Sequence, residues 1–95
     1  MQYEWDENKR LSNLKKHGLD FREVPIFMNF YPKITIKARS DTEPRLKAVI
    51  KVDTIYFVVV YTVRETAIRI ISFRRAKRKE RRRYEHEQQN RPLQP

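Results

Sequence analysis

The spacing of apolar positions changes at residue 33 of this chain. Before it, apolar residues recur at helical intervals; after it, they alternate or run together as they do in strands. Lys33-Ile34-Thr35-Ile36-Lys37 alternates like a half-buried strand, and Arg45 to Val52 reads as a second, less regular one. Ile55 to Thr62 is a nearly continuous block of apolar, β-branched and aromatic residues, which predicts a central strand covered on both faces. The fourth strand is expected from Ala67 to about Phe73. Between these runs, Arg39 to Pro44 (RSDTEP) has loop chemistry, Asp53-Thr54 forms a tight turn without glycine, and Arg64-Glu65-Thr66 forms another.

The N-terminal third reads as a short strand-like start, Tyr3-Glu4-Trp5, followed by two helices. Asp6 is the expected N-cap of the first, with Glu7 in its first turn. Leu11 and Leu14 give it a narrow apolar stripe toward the core, and His17-Gly18 ends it, glycine taking the left-handed position. Asp20 and Glu23 then have capping-box spacing ahead of Val24, Ile26, Phe27 and Met28, which predicts a second helix over about Phe21 to Asn29. Pro25 is awkward inside it, so that helix is kinked or starts late.

A last helix is expected from about Arg75 to Gln89. From Arg74 to Arg83, eight of ten residues are Lys or Arg, and Glu80 is the one acid. Only Ala76 and Tyr84 are apolar, so no stripe anchors this helix to a core, and it is expected to be mobile until something negative lies against it. The fold class is therefore α+β: two N-terminal helices packed on a three- to four-stranded antiparallel sheet, then a basic helix. Residues 1–90 form a single domain, with 91–95 as a polar tail.

Ninety-five residues with one glycine and no cysteine leave stability to a single small core. No apolar signal core stands at the N-terminus, and no apolar run reaches the roughly 20 residues a bilayer requires, so a cytoplasmic protein without a membrane partner is expected. The net charge of +10 is concentrated in one segment, which favours a polyanion as partner. No cluster has metal-ligand spacing, and no glycine-rich phosphate loop or nucleophile motif is present, so neither metal nor cofactor is expected.

Arg69-Ile70-Ile71-Ser72-Phe73-Arg74-Arg75-Ala76, then Glu80 and Tyr84-Glu85, resembles the C-terminal signature of the BrnT family of type II toxins. Tyr3-Glu4-Trp5-Asp6 with Lys9, Asn13-Leu14, Lys16-His17-Gly18 and Asp20-Phe21 agree with it, as do Glu43, Arg45 and Val58-Val59-Val60-Tyr61-Thr62. The resemblance covers about residues 3 to 85. It implies a RelE-like fold, RNA cleavage without a metal, and neutralisation by a cognate BrnA-like ribbon-helix-helix antitoxin through which DNA is bound indirectly. The chain departs from the pattern at Ile50, Asp53-Thr54 and the turn before the fourth strand, where glycines are common, and at Pro25.

Such a ribonuclease makes the RNA 2′-hydroxyl attack the neighbouring phosphate, which requires cations to hold that phosphate and groups to move protons. Arg45, Arg74 and Arg75 lie next to strand ends and have the planar fork that binds two phosphate oxygens. Arg69 either joins them or pairs with an acid such as Glu43. Lys77, Arg78, Lys79, Arg81, Arg82 and Arg83 read as a less specific RNA-binding footprint. Glu43 and Glu80 are the favoured proton-transfer groups, although an isolated glutamate is more often an ion-pair partner. Tyr84, a further candidate catalytic residue available for proton transfer, either stacks on a base or covers the sheet. His17 and His86 do not form a convincing acid–base pair. Two other classes share this basic stripe: a non-catalytic nucleic-acid-binding module, and a module that docks an acidic partner such as an antitoxin.

Overall fold

The structure, a computed structural model, describes residues 2–89. In chain order it contains β1 (Gln2–Glu4), α1 (Glu7–His17), a 3₁₀ turn (Phe21–Glu23), α2 (Val24–Phe30), β2 (Lys33–Ala38), β3 (Arg45–Val52), β4 (Ile55–Arg64), β5 (Ala67–Arg75) and α3 (Arg78–Gln89). The strands form one sheet in the order β1-β5-β4-β3-β2. The β2–β5 meander is antiparallel as expected, but β1 adds a fifth strand parallel to β5, with Tyr3 opposite Ile68. The sheet is therefore mixed, not the three- to four-stranded antiparallel sheet that the residue pattern predicts. The strand-like start at Tyr3-Glu4-Trp5 is legible, but its partner, more than 60 positions away, leaves no local signature.

Local chemistry sets the helix ends. The Asp6 side chain accepts from the Lys9 N–H at 3.1 Å, and Gly18 at φ 70° donates to the Leu14 carbonyl at 2.8 Å. The second helix starts late: Asp20 caps the 3₁₀ turn, and Pro25 falls in the first turn of α2, where its missing N–H needs no partner.

The inner side of α1 differs from the expectation. Leu11 and Leu14 are exposed, whereas Arg10 and Asn13 are buried. Asn13 donates to the Phe73 carbonyl at 2.7 Å and accepts from the Phe73 N–H at 3.2 Å. It thus acts as a side-chain substitute for a strand along the edge of β5 that β1 leaves unpaired. Arg10 pairs with Glu7 and Asp20. Polar groups, not leucines, dock this helix, and they dock it at the sheet edge.

The 3₁₀ turn and α2 cover one face, where Phe21, Val24 and Met28 pack on Ala48, Ile50, Val59, Ile70 and Phe73. The basic helix α3 covers part of the other. It starts at Arg78, not near Arg75, because β5 keeps its pairing through Arg74 opposite Val58 and Arg75 opposite Phe57. Glu80 then reaches back to the Lys77 N–H at 2.8 Å, as in a capping box. The expected lack of an anchor is also corrected. Tyr84 is buried on Val49 and Val58, with the Tyr56 ring 5.4 Å away, and Glu80 is buried beside it. The polar tail and the expected domain end at residue 90 lie outside the described residues.

Candidate nucleic-acid interface

Strand register decides which charges meet. Leu46 pairs with Tyr61, Tyr61 with Ile70 and Val59 with Phe73, and these residues form the core under α2. Their neighbours of opposite parity therefore share the α3 face: Arg45 and Lys47 on β3, Val58, Val60 and Thr62 on β4, and Arg69, Ser72 and Arg74 on β5. A β-bulge at Val60/Tyr61 makes Ile71 the extra residue of β5, which lets Arg69 and Ser72 point the same way despite odd separation. Tyr84 covers this face around Val49 and Val58. Beyond it lies a strip of cations.

Glu80 organises one end of the strip. Its carboxylate accepts from Arg74 Nη1 at 2.8 Å and Nη2 at 2.9 Å, and from Lys47 Nζ at 3.0 Å. Burial pushes its pKa up, but the hydrogen bonds from Arg74, Lys77 and Lys47 outweigh that and hold it at about 2. At the other end Arg69 pairs with Glu4 of the parallel strand at 2.9 Å. The acid over Arg69 is therefore Glu4, not Glu43.

Glu43 pairs instead with Arg64 at 2.9 Å, and that hydrogen bond holds its carboxyl below the usual range. Arg45 and Arg69 also act on it electrostatically, which puts all three arginines in one neighbourhood. Arg45 makes no ion pair with a described residue, and its Nε is buried without a hydrogen-bond partner. It borders an open hollow lined by Arg39, Ser40, Asp41 and Thr42. A buried guanidinium N–H left unpaired costs on the order of 1–3 kcal/mol, so Arg45 is held on this face at some cost to stability.

The structure separates other candidates. Arg74 and Arg75 go to opposite faces, and Arg75 lies 5.7 Å from the Phe57 ring on the far side. Tyr84 is 4 % exposed and covers the sheet, the second of the two roles open to it. Arg78, Lys79, Arg81, Arg82 and Arg83 form the exposed side of α3, with Arg81 5.8 Å over Tyr56 and Arg83 paired with Glu87. Lys77 joins Arg78 and Arg81 around a second hollow. Sequence reasoning missed Lys47, Arg64 and Glu4. For Lys47 the signal was present, since it shares parity with Arg45 on one strand. Among the described residues no three of His, Asp and Glu converge to hold a metal ion.

The family model described as ribonuclease toxin, BrnT, of type II toxin-antitoxin system matches residues 5–80. The chain belongs to that family. No match was found among curated proteins. For a BrnT-family protein the partners are RNA and an antitoxin, and the matched span takes in every strand from β2 to β5 as well as Glu80. No described helix is long and apolar enough to cross a membrane.

Proposed function

We propose that this protein is a metal-independent endoribonuclease acting in the cytoplasm. RNA lies on the α3 face of the sheet, between the Arg45 hollow and the Arg74–Glu80 pair. There the 2′-hydroxyl attacks the adjacent phosphate, which leaves a cyclic phosphate and a free 5′-hydroxyl. The observation that carries this reading is Arg45, which borders the open hollow and makes no ion pair with a described residue, on a face where Lys47, Arg69 and Arg74 already have carboxylate partners. Arg45 holds the phosphate, and Arg74 and Arg69, fixed in place by Glu80 and Glu4, supply further positive potential.

Glu80 accepts four hydrogen bonds, which leaves it a positioning role. Glu43 is partly exposed, has one cation on it and lies near Arg45, so it is the better base. Arg75 and the outer arginines of α3 attract RNA at longer range, and Tyr84 acts through the packing of α3. The cognate antitoxin is a BrnA-like ribbon-helix-helix protein whose acidic segment covers the cationic strip, and DNA is reached only through that complex.

Incubating purified protein with RNA in a chelator tests this. Fragments ending in cyclic phosphate are expected, and Glu43→Gln should slow their formation. Bound but intact RNA would favour the alternative, a non-catalytic nucleic-acid-binding or antitoxin-binding module.

A further inference from the structure

A third hollow, also cationic and of about 190 Å³, lies between α1 and the edge of β5, and includes Lys9, Ser12, Lys16, His17 and Ser72 in its lining. Positions 9, 12, 13 and 16 share one face of α1, and Asn13 in their midst is hydrogen-bonded to the Phe73 backbone. That bond fixes the helix face against the strand, so the lysines stand over the β5 edge by construction. The lining contains no carboxylate, and neither lysine makes an ion pair with a described residue. Ser72 opens onto the same face as Arg74, and Arg74 acts electrostatically on His17, so the hollow continues from the strip that carries Arg74. Burial first, then Lys16 and Arg74, lowers the His17 pKa, consistent with positive potential around a neutral imidazole.

We infer that this hollow is a phosphate subsite for the RNA backbone, holding a phosphate that flanks the cleaved one as the strand leaves the sheet face past Arg74. Two ammonium groups and two hydroxyls around a space without acids match a phosphodiester, which offers acceptors only. The bulge residue Ile71 forms the apolar wall. This subsite rests on the ribonuclease reading but is separable from it, because a minimal substrate occupying the Arg45 region would not reach α1.

The test uses 2′-O-methyl RNA, which cannot be cut, as a dinucleotide and as an eight-nucleotide strand. Lys9→Ala/Lys16→Ala is compared with Lys15→Ala/Lys37→Ala, which removes the same charge outside the hollow. The subsite predicts that the first variant loses roughly tenfold affinity for the long strand and keeps its dinucleotide affinity. Its slope of log affinity against log salt should flatten by about 0.7 for each phosphate no longer neutralised. Equal losses for both double variants, or equal losses on both lengths, would overturn the subsite while leaving cleavage by the wild type intact. Wild-type protein that neither binds nor cuts RNA would overturn the ribonuclease reading as well.

Discussion

Arg74 and Glu80 are joined by two parallel hydrogen bonds of 2.8 and 2.9 Å, linking the end of β5 to the first turn of α3. Because the same carboxylate also holds Lys47 and the Lys77 N–H, one side chain orients two cations of the candidate site and caps a helix that has little apolar surface. Charged pairing here replaces the hydrophobic stripe that normally holds a surface helix.

That arrangement fixes a pH dependence. The Glu80 carboxyl has a pKa of about 2 in the folded protein against an ordinary 4.5. Its contribution, on the order of 3 kcal/mol, is complete above the unfolded value and is lost as pH falls from about 4.5 toward 2. Denaturant titrations across this range should show Glu80→Gln less stable than wild type at pH 7 and flatter toward acid. Equal slopes for the two proteins would remove Glu80 from its central place.

Asn13 makes a second prediction. Replacing it with alanine leaves the buried N–H and carbonyl of Phe73 without their partners, at a cost of about 2–4 kcal/mol. Leu14→Ala, one position along on the exposed side, should cost under about 1 kcal/mol. Chemical denaturation of the two variants checks the contrast.

The contrast between these neighbours also shows what the sequence could convey. Alternation at β2 and β3, and apolar runs at β4 and β5, located these strands within a few residues, because strand patterning is set by local residue type. Helix caps at Asp6 and Gly18 were legible because capping is local chemistry. The inner face of α1 was not, since two leucines outweighed an arginine and an asparagine whose partners lie in distant segments. The candidate site was half legible for the same reason. Arg45 and Arg74 could be chosen as cations beside strand ends, but parity sends Arg75 away, and Lys47 enters only through its long-range bond to Glu80. The pairing of Arg69 with Glu4 depends on where the strand-like start docks, parallel to β5, and no local pattern announces that.

Turn chemistry gives a third prediction. Glu65 sits at φ 46° in the turn between β4 and β5, a region that favours glycine, and Asp53 at φ 56° does the same between β3 and β4. Glu65→Gly should raise stability by about 1 kcal/mol, and Asp53→Gly by less, because aspartate tolerates this conformation better. Thermal unfolding reads both. A loss of stability on Glu65→Gly would mean that its side chain makes an interaction worth more than the strain.

The central claim is that RNA phosphate is held at Arg45, and the most direct measurement is the RNA cleavage rate of Arg45→Ala in the presence of a chelator, alongside its melting temperature. The account predicts a fall of about a hundredfold with a melting temperature within a few degrees of wild type. Cleavage by Arg45→Ala at the wild-type rate would contradict it.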